Sequence, residues 1–331
     1  MLREIRHLWH SKKEIPYYYF KYLYRNDVKN INDYLGTKEA NRLHQNPQLH
    51  RSEITTIINN KLAFSLYAQK HGLKTARLYG YHFNHKYFFN ETLKSVNTEQ
   101  SLHHFFQNLF NTYQTTSVFV KPLADFGGKG CFILRSEDLK NQLYKKKEAL
   151  LTENHLFYEV IKQHPRINEI HSHCVNTLRI VSYITPTGNI EFISTFMRFG
   201  IDNSPVDNGS AGGIFVYVDE DKGTLKEMGI KKMSFGGEKL THHPNSNFKF
   251  DGFEIPYFKE TYDLITTYLQ YLPDRIIGWD VAITTDGPVI IEANDCPNLH
   301  SSDVMSSGGL LRNESFRELV TQINSEYFNP T

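Results

Sequence analysis

Apolar positions recur along this chain at two spacings and divide it into helical and extended stretches. In NNKLAFSLYAQKHGLKTARLYG, Leu62, Ala63, Leu66 and Tyr67 fall at helical spacing, with Asn60 as N-cap and Gly72 as stop. Lys61 then lies in the first turn, where a cation opposes the helix dipole. An anionic partner is expected for it, with a solvated lysine as the plain alternative. Leu78 to Tyr81 closes a strand. The LHHFF cluster between residues 90 and 116 reads as one apolar helix face with its flank. Adjacent histidines on a helix are poorly placed to share an ion. Ser117 to Val120 predicts a buried strand ending in Lys121-Pro122, with Cys131 to Leu134 as its return, and a helix then runs from Ser136 to about Leu150. Phe157-Tyr158-Glu159-Val160-Ile161 predicts a short strand, broken at Gln163-His164-Pro165. CVNTLRIVSYI and IEFISTFMRFG form two strands around Pro186-Thr187-Gly188, residues 219–256 a small excursion with its own turns. Thr261 to Leu272 is an amphipathic helix and Ser315 to Tyr327 a closing one. Residues 1–50 read as a helical segment with polar joints at Arg25-Asn26-Asp27 and Gly36-Thr37.

The richest stretch is GWDVAITTDGPVIIEAND, Gly278 to Asp295. Val281-Ala282-Ile283 and Val289-Ile290-Ile291 predict two strands joined by Asp286-Gly287-Pro288. Side chains alternate along a strand, so Glu292 and Asn294 share a face, and a hairpin closing at Asp286-Gly287 sets Asp280 roughly across from Glu292. Two carboxylates and one amide oxygen on one face suit Mg2+ bridging phosphates. The alternative is an ordinary hairpin with solvated polar residues. Charge inside apolar strands weighs against it, because an unpaired buried carboxylate is costly.

Three further features bear on chemistry. Gly127, Gly128, Lys129 and Gly130 form a flexible loop whose backbone N–H groups can turn toward phosphate oxygens, with Lys121 at the strand end beside it. The spacing is not that of a Walker loop, and a mobile turn is the simpler reading. Arg179 and Arg198 sit inside apolar strands and need anions, either internal carboxylates or a bound phosphate or carboxylate. The loop IDNSPVDNGSAGGI, residues 201–214, is rich in small residues of the kind that close over ligands, with simple disorder as the equal alternative.

Bulk properties narrow the class. The 331 residues allow two or three compact units, and a net charge of +1 offers no basic surface for nucleic acid. Cys131, Cys174 and Cys296 are too far apart for a metal motif or disulfide framework, so a reducing, cytoplasmic setting is expected. The N-terminus has no apolar run long enough for a signal peptide or membrane span. Its basic and aromatic residues, Lys12, Lys13, Lys21 and Arg25 among Tyr17, Tyr18, Tyr19 and Phe20, are expected to pack on their own domain, with contact to a membrane surface as the lesser alternative.

Taken in order, these pieces resemble an ATP-grasp enzyme over roughly residues 50–310: Lys61 opening a helix, Lys121 before a glycine-rich loop, Glu159 in FYEVI, and Asp280, Glu292 and Asn294 closing the core. VNTLRIV, RFG, VDNGSAGGI, GWDVAIT and the N-terminal YLGTKEANRL resemble blocks of the sugar-transfer-associated ATP-grasp family. The resemblance implies an α+β fold of two subdomains clasping ATP, preceded by a helical segment. The expected parts are a helical segment at 1–50, an N-terminal subdomain at 51–116, a glycine-loop lid at 117–162 and a core with the Mg2+ site at 163–331. Lys61 and Lys121 would contact the nucleotide phosphates, covered by Gly127 to Gly130. Glu159 with the Val160 and Ile161 backbone would meet the adenine, and Glu169 the ribose. Asp280, Glu292 and Asn294 would hold Mg2+, and Arg179 and Arg198 would face the transferred phosphoryl group or a carboxylate substrate.

The D-alanine ligase pattern has an arginine shortly before the metal-binding Asp, where this chain has Gly278-Trp279; that role passes to Arg179 or Arg198. The activity implied is ATP-dependent joining of a small-molecule or sugar-linked carboxylate to an amine through an acylphosphate, in surface-polysaccharide assembly. The rivals are a kinase acting on a sugar or lipid hydroxyl, and a non-catalytic nucleotide-binding partner of a glycosyltransferase.

Overall fold

The computed structural model describes all residues except 27, 29, 125–129, 307 and 329–331, and the side chain of residue 328. The chain forms two compact units: residues 60–162, and residues 1–59 together with 163–331.

The larger unit begins with α1 (Leu2–Lys12), α2 (Thr37–Gln45) and α3 (Ser52–Asn59). A π-helical turn, Tyr19–Leu23, lies between the first two. Glu14 accepts from the Thr37 and Lys38 amides and caps the otherwise unsatisfied start of α2.

The smaller unit follows: α4 (Lys61–Lys70), β1 (Leu78–Phe83), β2 (Lys86–Phe89), β3 (Thr92–Ser95), α5 (Glu99–Tyr113), β4 (Ser117–Pro122), β5 (Phe132–Arg135), α6 (Leu139–Thr152) and β6 (His155–Tyr158). The six strands make one antiparallel sheet, β3-β2-β1-β6-β4-β5. One face is buried by the apolar sides of α5 and α6, with Phe105, Phe106, Leu109, Leu139 and Leu143 packed against Val118, Val120, Leu134 and Phe157. His103 and His104 flank that apolar stripe, as the spacing predicts. The pieces expected at 51–116 and 117–162 thus share a sheet and a core. The boundary moves because β6 pairs with both β1 and β4.

The chain then returns to the larger unit through α7 (Pro165–Asn168), β7 (Thr177–Ile184), β8 (Ile190–Phe199), β9 (Ile214–Asp219), β10 (Thr224–Lys231), β11 (Lys239–Leu240), α8 (Phe258–Tyr271), β12 (Ile276–Thr284), β13 (Gly287–Asn294), α9 (Leu299–Met305) and α10 (Glu314–Phe328). Its sheet is antiparallel, ordered β11-β10-β9-β8-β7-β12-β13. One face packs on α8, where Trp279 meets Tyr268 edge-on at 5.6 Å between ring centroids and donates its indole N–H to Ser182 Oγ at 2.8 Å. Much of the other face is also apolar and covered. Val181, Tyr183 and Ile276 lie under Leu43 of α2 and Phe316 of α10. Phe196, Phe215 and Ile230 lie under Tyr19 and Leu23 of the π turn and under Val304 and Met305 of α9.

The expected separate segment at 1–50 is therefore part of the larger unit's core. Tyr18, Tyr19 and Leu23 are buried while Tyr17, Phe20 and Tyr24 face solvent. Among the described residues no helix is long and apolar enough to cross a membrane.

Candidate functional site

The site in the larger unit follows from strand register. Asp280 on β12 lies directly across from Glu292 on β13 and, on its other side, from Arg179 on β7; Gly278 lies across from Asn294. Directly opposed residues of antiparallel strands share a face, so Arg179, Asp280, Glu292 and Asn294 all project to one side. The register slips by one residue between Asp280 and Val281, which leaves Ile291 as a bulge immediately before Glu292. Arg198 on β8 stands two residues from Phe196, the neighbour of Arg179, and joins the same face.

This face carries a network of charges. Arg179 donates through Nε to Asp280 Oδ1 and through Nη2 to Oδ2 at 3.0 Å. Arg198 Nη2 reaches the same Oδ2 at 3.0 Å, while its Nε lies 3.3 Å from Asp207 Oδ2. Thr177 ties the cluster together: its Oγ1 accepts from Arg198 at 2.9 and 2.6 Å and donates to Asp207, whose carboxylate also takes the Thr177 amide at 2.9 Å. Burial on its own would raise the Asp280 carboxyl, but the two guanidiniums outweigh it and hold it below the ordinary aspartate range. Asp207 is shifted the other way, because for it burial exceeds the attraction of Arg198. Arg198 is the mirror case: burial opposes its charge, and Asp207 and Asp280 more than restore it.

The two arginines therefore find their anions inside the protein, and their guanidiniums are turned onto Asp280 and Asp207. Asp207 is the residue that composition concealed, since it sits in the small-residue loop expected to cover a ligand. The signal for it was the need of Arg198 for a buried partner.

Position 278, which holds glycine where the ligase pattern has a side chain, is closely packed. A Cβ there would come within 2.6 Å of Pro297 Cβ and 3.6 Å of Arg179 Nη1. No side chain fits at 278, and the guanidinium that lies beside that position comes from the neighbouring strand.

Asp280, Glu292 and Asn294 fit a hard cation. Glu292 and Asn294 are partly exposed, and Asp280 is oriented by two guanidiniums. Among the described residues no three His, Cys, Asp or Glu side chains form a metal cage. The donor set is two carboxylates and an amide, which leaves coordination positions for phosphate and water, as Mg2+ prefers.

In the smaller unit the relevant face is the one turned away from α5 and α6. Phe119 pairs with Tyr158 and Lys121 with Leu156, so all four share that face. Leu62, Leu123 and Ile161 pack against Leu156 and Tyr158. Ser65 accepts or donates at 2.8 Å with the Tyr158 hydroxyl and donates to the Lys61 carbonyl, tying the start of α4 to the end of β6. Asn60 caps α4 as predicted, accepting from the Ala63 amide at 3.0 Å. That apolar cluster includes Ile161, and Lys61, Lys121 and Glu159 adjoin its members Leu62, Leu156 and Tyr158 along the chain or across the ladder.

Strand β6 stops at Tyr158, one residue short of Glu159. Glu159 leaves the ladder because it closes a two-way contact with Arg77: its amide donates to the Arg77 carbonyl at 2.9 Å and its Oε1 accepts from the Arg77 amide at 2.8 Å. Gly130 is in the left-handed region (φ 72°) just before β5. Gly127, Gly128 and Lys129 lie outside the described residues. Glu169, in the larger unit, is half exposed and 3.6 Å from Arg166 Nε.

Comparison with known proteins places the chain in a family. The family model described as sugar-transfer associated ATP-grasp matches residues 41–318. Among solved structures, D-alanyl-alanine synthetase A from Vibrio cholerae is similar at 16% identity and TM-score 0.46, over 84% of this chain and 67% of that one. The ATP-grasp ligase PsnB, complexed with a phosphomimetic variant of its minimal precursor, Mg and ADP, is similar at 12% identity and TM-score 0.45, over 83% and 62%. N5-carboxyaminoimidazole synthase from Aspergillus clavatus, bound to ADP and its ribonucleotide, is similar at 10% and TM-score 0.42, over 73% and 46%. The chain thus spans about two thirds or less of the lengths of these structures. A search of curated proteins finds no match.

Proposed function

Because the chain belongs to the sugar-transfer associated ATP-grasp family, we propose that it is an ATP- and Mg2+-dependent ligase joining a carboxylate to an amine. The observation that supports this most is the single sheet face on which Asp280 and Glu292 oppose one another, with Asn294 beside them and Arg179 and Arg198 adjacent. The carboxylates and the amide would hold a cation that offsets polyphosphate charge, with the guanidiniums orienting Asp280 beside it.

A carboxylate is a poor electrophile. Transfer of the ATP γ-phosphoryl group to it forms the acylphosphate and releases ADP. The amine then attacks the acyl carbon, the C–O bond to phosphate breaks, the amine loses a proton, and inorganic phosphate leaves. Asp280, Glu292 and Asn294 would hold Mg2+, which when bound neutralises phosphate charge. Arg179 and Arg198 hold Asp280 ionised and oriented. Arg179 engages it through Nε and Nη2 and keeps Nη1, beside Gly278, for an incoming anion. Lys61 and Lys121 contact phosphate oxygens, and Glu159 with the Val160–Ile161 backbone meets the adenine edge. The ribose role of Glu169 is the weakest of these, since its carboxylate already faces Arg166. The family's description links it to sugar transfer; a sugar-linked carboxylate in surface-polysaccharide assembly, with an amino acid as the amine, is the substrate pair proposed on that basis.

The test is release of ADP and phosphate by purified protein with MgATP, pooled amino acids and pooled uronic-acid sugars with their nucleotide forms. Asp280→Asn combined with Glu292→Gln is the blank. Product that requires both pools and vanishes in the blank supports the ligase. ADP accompanied by a phosphorylated sugar and no free phosphate replaces it with a kinase.

A further inference from the structure

The charged face continues beyond the arginines. Phe215 on β9 lies across from Arg198 and, on its other side, from Ile230 of β10. Lys232 follows the end of β10 and caps the turn Met233–Phe235. Its ammonium sits 5.6 Å from the centre of the Phe215 ring. The glycine-rich loop presses on its stem, since a Cβ on Gly209 would meet Lys232 Cε at 2.8 Å and Phe215 Cζ closer still. The turn Met233–Phe235 directly after Lys232 packs against the π turn that carries Lys21. Lys21 lies 5.3 Å from the Tyr22 ring, which stacks on His300 at 5.1 Å.

The two lysines differ from the two arginines in how their charge is met. Arg179 and Arg198 have Asp280 and Asp207. The contacts of the Lys21 and Lys232 ammonium groups among the described residues are with aromatic rings. Burial lowers the Lys232 ammonium below the ordinary range, and the charges that add to this are all cations, Lys21, Arg179 and Arg198. Two ammonium groups with no carboxylate partner among the described residues, on or beside turns that pack together, suit a ligand with two negative charges close together. A phosphomonoester or diphosphate supplies them at neutral pH; a carboxylate would match one and leave the other.

We propose that Lys21 and Lys232 form a second anion site that takes the phosphate or diphosphate of the enzyme's acceptor substrate. This rests on the ligase reading and names the class of its second substrate: a phosphorylated compound, either a soluble sugar phosphate or nucleotide sugar, or a lipid-linked phosphate. Lys21 is exposed and gives the site its opening, while Lys232 is partly buried and fixes the position of the anion.

The test is calorimetric titration of inorganic phosphate into the full chain saturated with Mg2+ and the β,γ-imido analogue of ATP, which fills the γ-phosphate position. Lys232→Met keeps the stem on Phe215, and Lys21→Met alters an exposed residue, so both variants should fold. Each is expected to weaken phosphate binding about tenfold (~1.4 kcal/mol), while Lys232→Arg retains it and acetate does not compete. Equal phosphate affinity in wild type and both methionine variants overturns the proposal, as does competition by acetate as strong as by phosphate. A second arm sediments the protein with phosphatidylcholine vesicles containing phosphatidic acid. Pelleting that depends on both lysines supports a lipid-linked source, and lysine-dependent phosphate binding without pelleting supports a soluble one. Failure of the imido analogue to bind would count against the ligase reading. The phosphate titration would then be read without nucleotide, with Lys61→Met as the control for nucleotide-phosphate contacts.

Discussion

Arg179 and Asp280 face each other across neighbouring strands β7 and β12, with Arg179 Nη2 3.0 Å from Asp280 Oδ2 and Nε on the other oxygen. The pairing is bidentate, so it fixes the plane of the carboxylate as well as its charge. The same carboxylate accepts from Arg198, so one aspartate stands between two guanidiniums.

Removing either arginine should therefore be costly in a particular way. Arg179→Ala leaves Asp280 buried with one guanidinium instead of two, and Arg198→Ala takes the cation from Asp207, leaving it only the Thr177 donors, and weakens Asp280. Breaking a buried pair costs ~3–5 kcal/mol, and Arg198→Ala should lie at the upper end because it serves two carboxylates. Urea denaturation of both variants checks the order. Equal and small losses would mean that the cluster contributes little to the fold.

Gly278→Ala tests the packing between β12 and Pro297. The added methyl meets Pro297 at 2.6 Å, and the backbone on both sides must give. Overpacking of this kind costs about 1–3 kcal/mol. Because Pro297 follows the Asp280–Glu292–Asn294 hairpin so closely, Mg2+-dependent nucleotide binding should weaken as well. A variant with wild-type stability and nucleotide affinity would show that position 278 is not constrained.

Asp303 gives a pH dependence with a definite sign. Its carboxylate accepts from the Leu35 and Leu310 amides, each at 2.7 Å, and joins the segment before α2 to the turn after α9. Burial pushes its carboxyl up to about 7, against the pull of those amides and of Lys12. A raised folded-state value means that the protonated form favours folding. Its contribution is complete below the unfolded value of about 4 and is lost as pH rises toward 7, a change on the order of a few kcal/mol. Asp303→Asn cannot ionise and should flatten that slope, at a fixed cost because one amide oxygen must serve two donors. Urea midpoints between about pH 4 and 7.5 check this, and parallel slopes for the two proteins would contradict it.

Lys121→Met and Lys61→Met should leave the helix-packed core of the smaller unit intact, since Lys121 and Lys61 are only partly buried and lie outside it. Each should weaken binding of the imido ATP analogue about tenfold (~1.4 kcal/mol). Unchanged affinity in both would remove these lysines from the nucleotide site.

Local chemistry was readable in the sequence wherever one short stretch determined it. The turn at Asp286-Gly287 and strand alternation put Asp280 across from Glu292, and the structure has that register. Asn60 capped α4 for the reason its side chain suggests. What escaped was set by partners distant in sequence. Asp207 looked like one more turn residue until the fold brought it to Arg198. Glu159 read as strand because nothing local signalled its contact with Arg77. The bulge at Ile291 has no side-chain signature in a run of three β-branched residues. The aromatic N-terminus read as a separate segment because the face it covers, around Phe215 and Ile230, comes two hundred residues later.

The acylphosphate is the centre of this account, and isotope transfer tests it most directly. The protein is incubated with MgATP, the amine pool and a carboxylate pool labelled with oxygen-18 in the carboxyl group. The account predicts that released inorganic phosphate carries one oxygen from the carboxylate, and that Asp280→Asn with Glu292→Gln releases none. Phosphate that carries only oxygen from ATP and water, or a phosphorylated acceptor in place of phosphate, would contradict it.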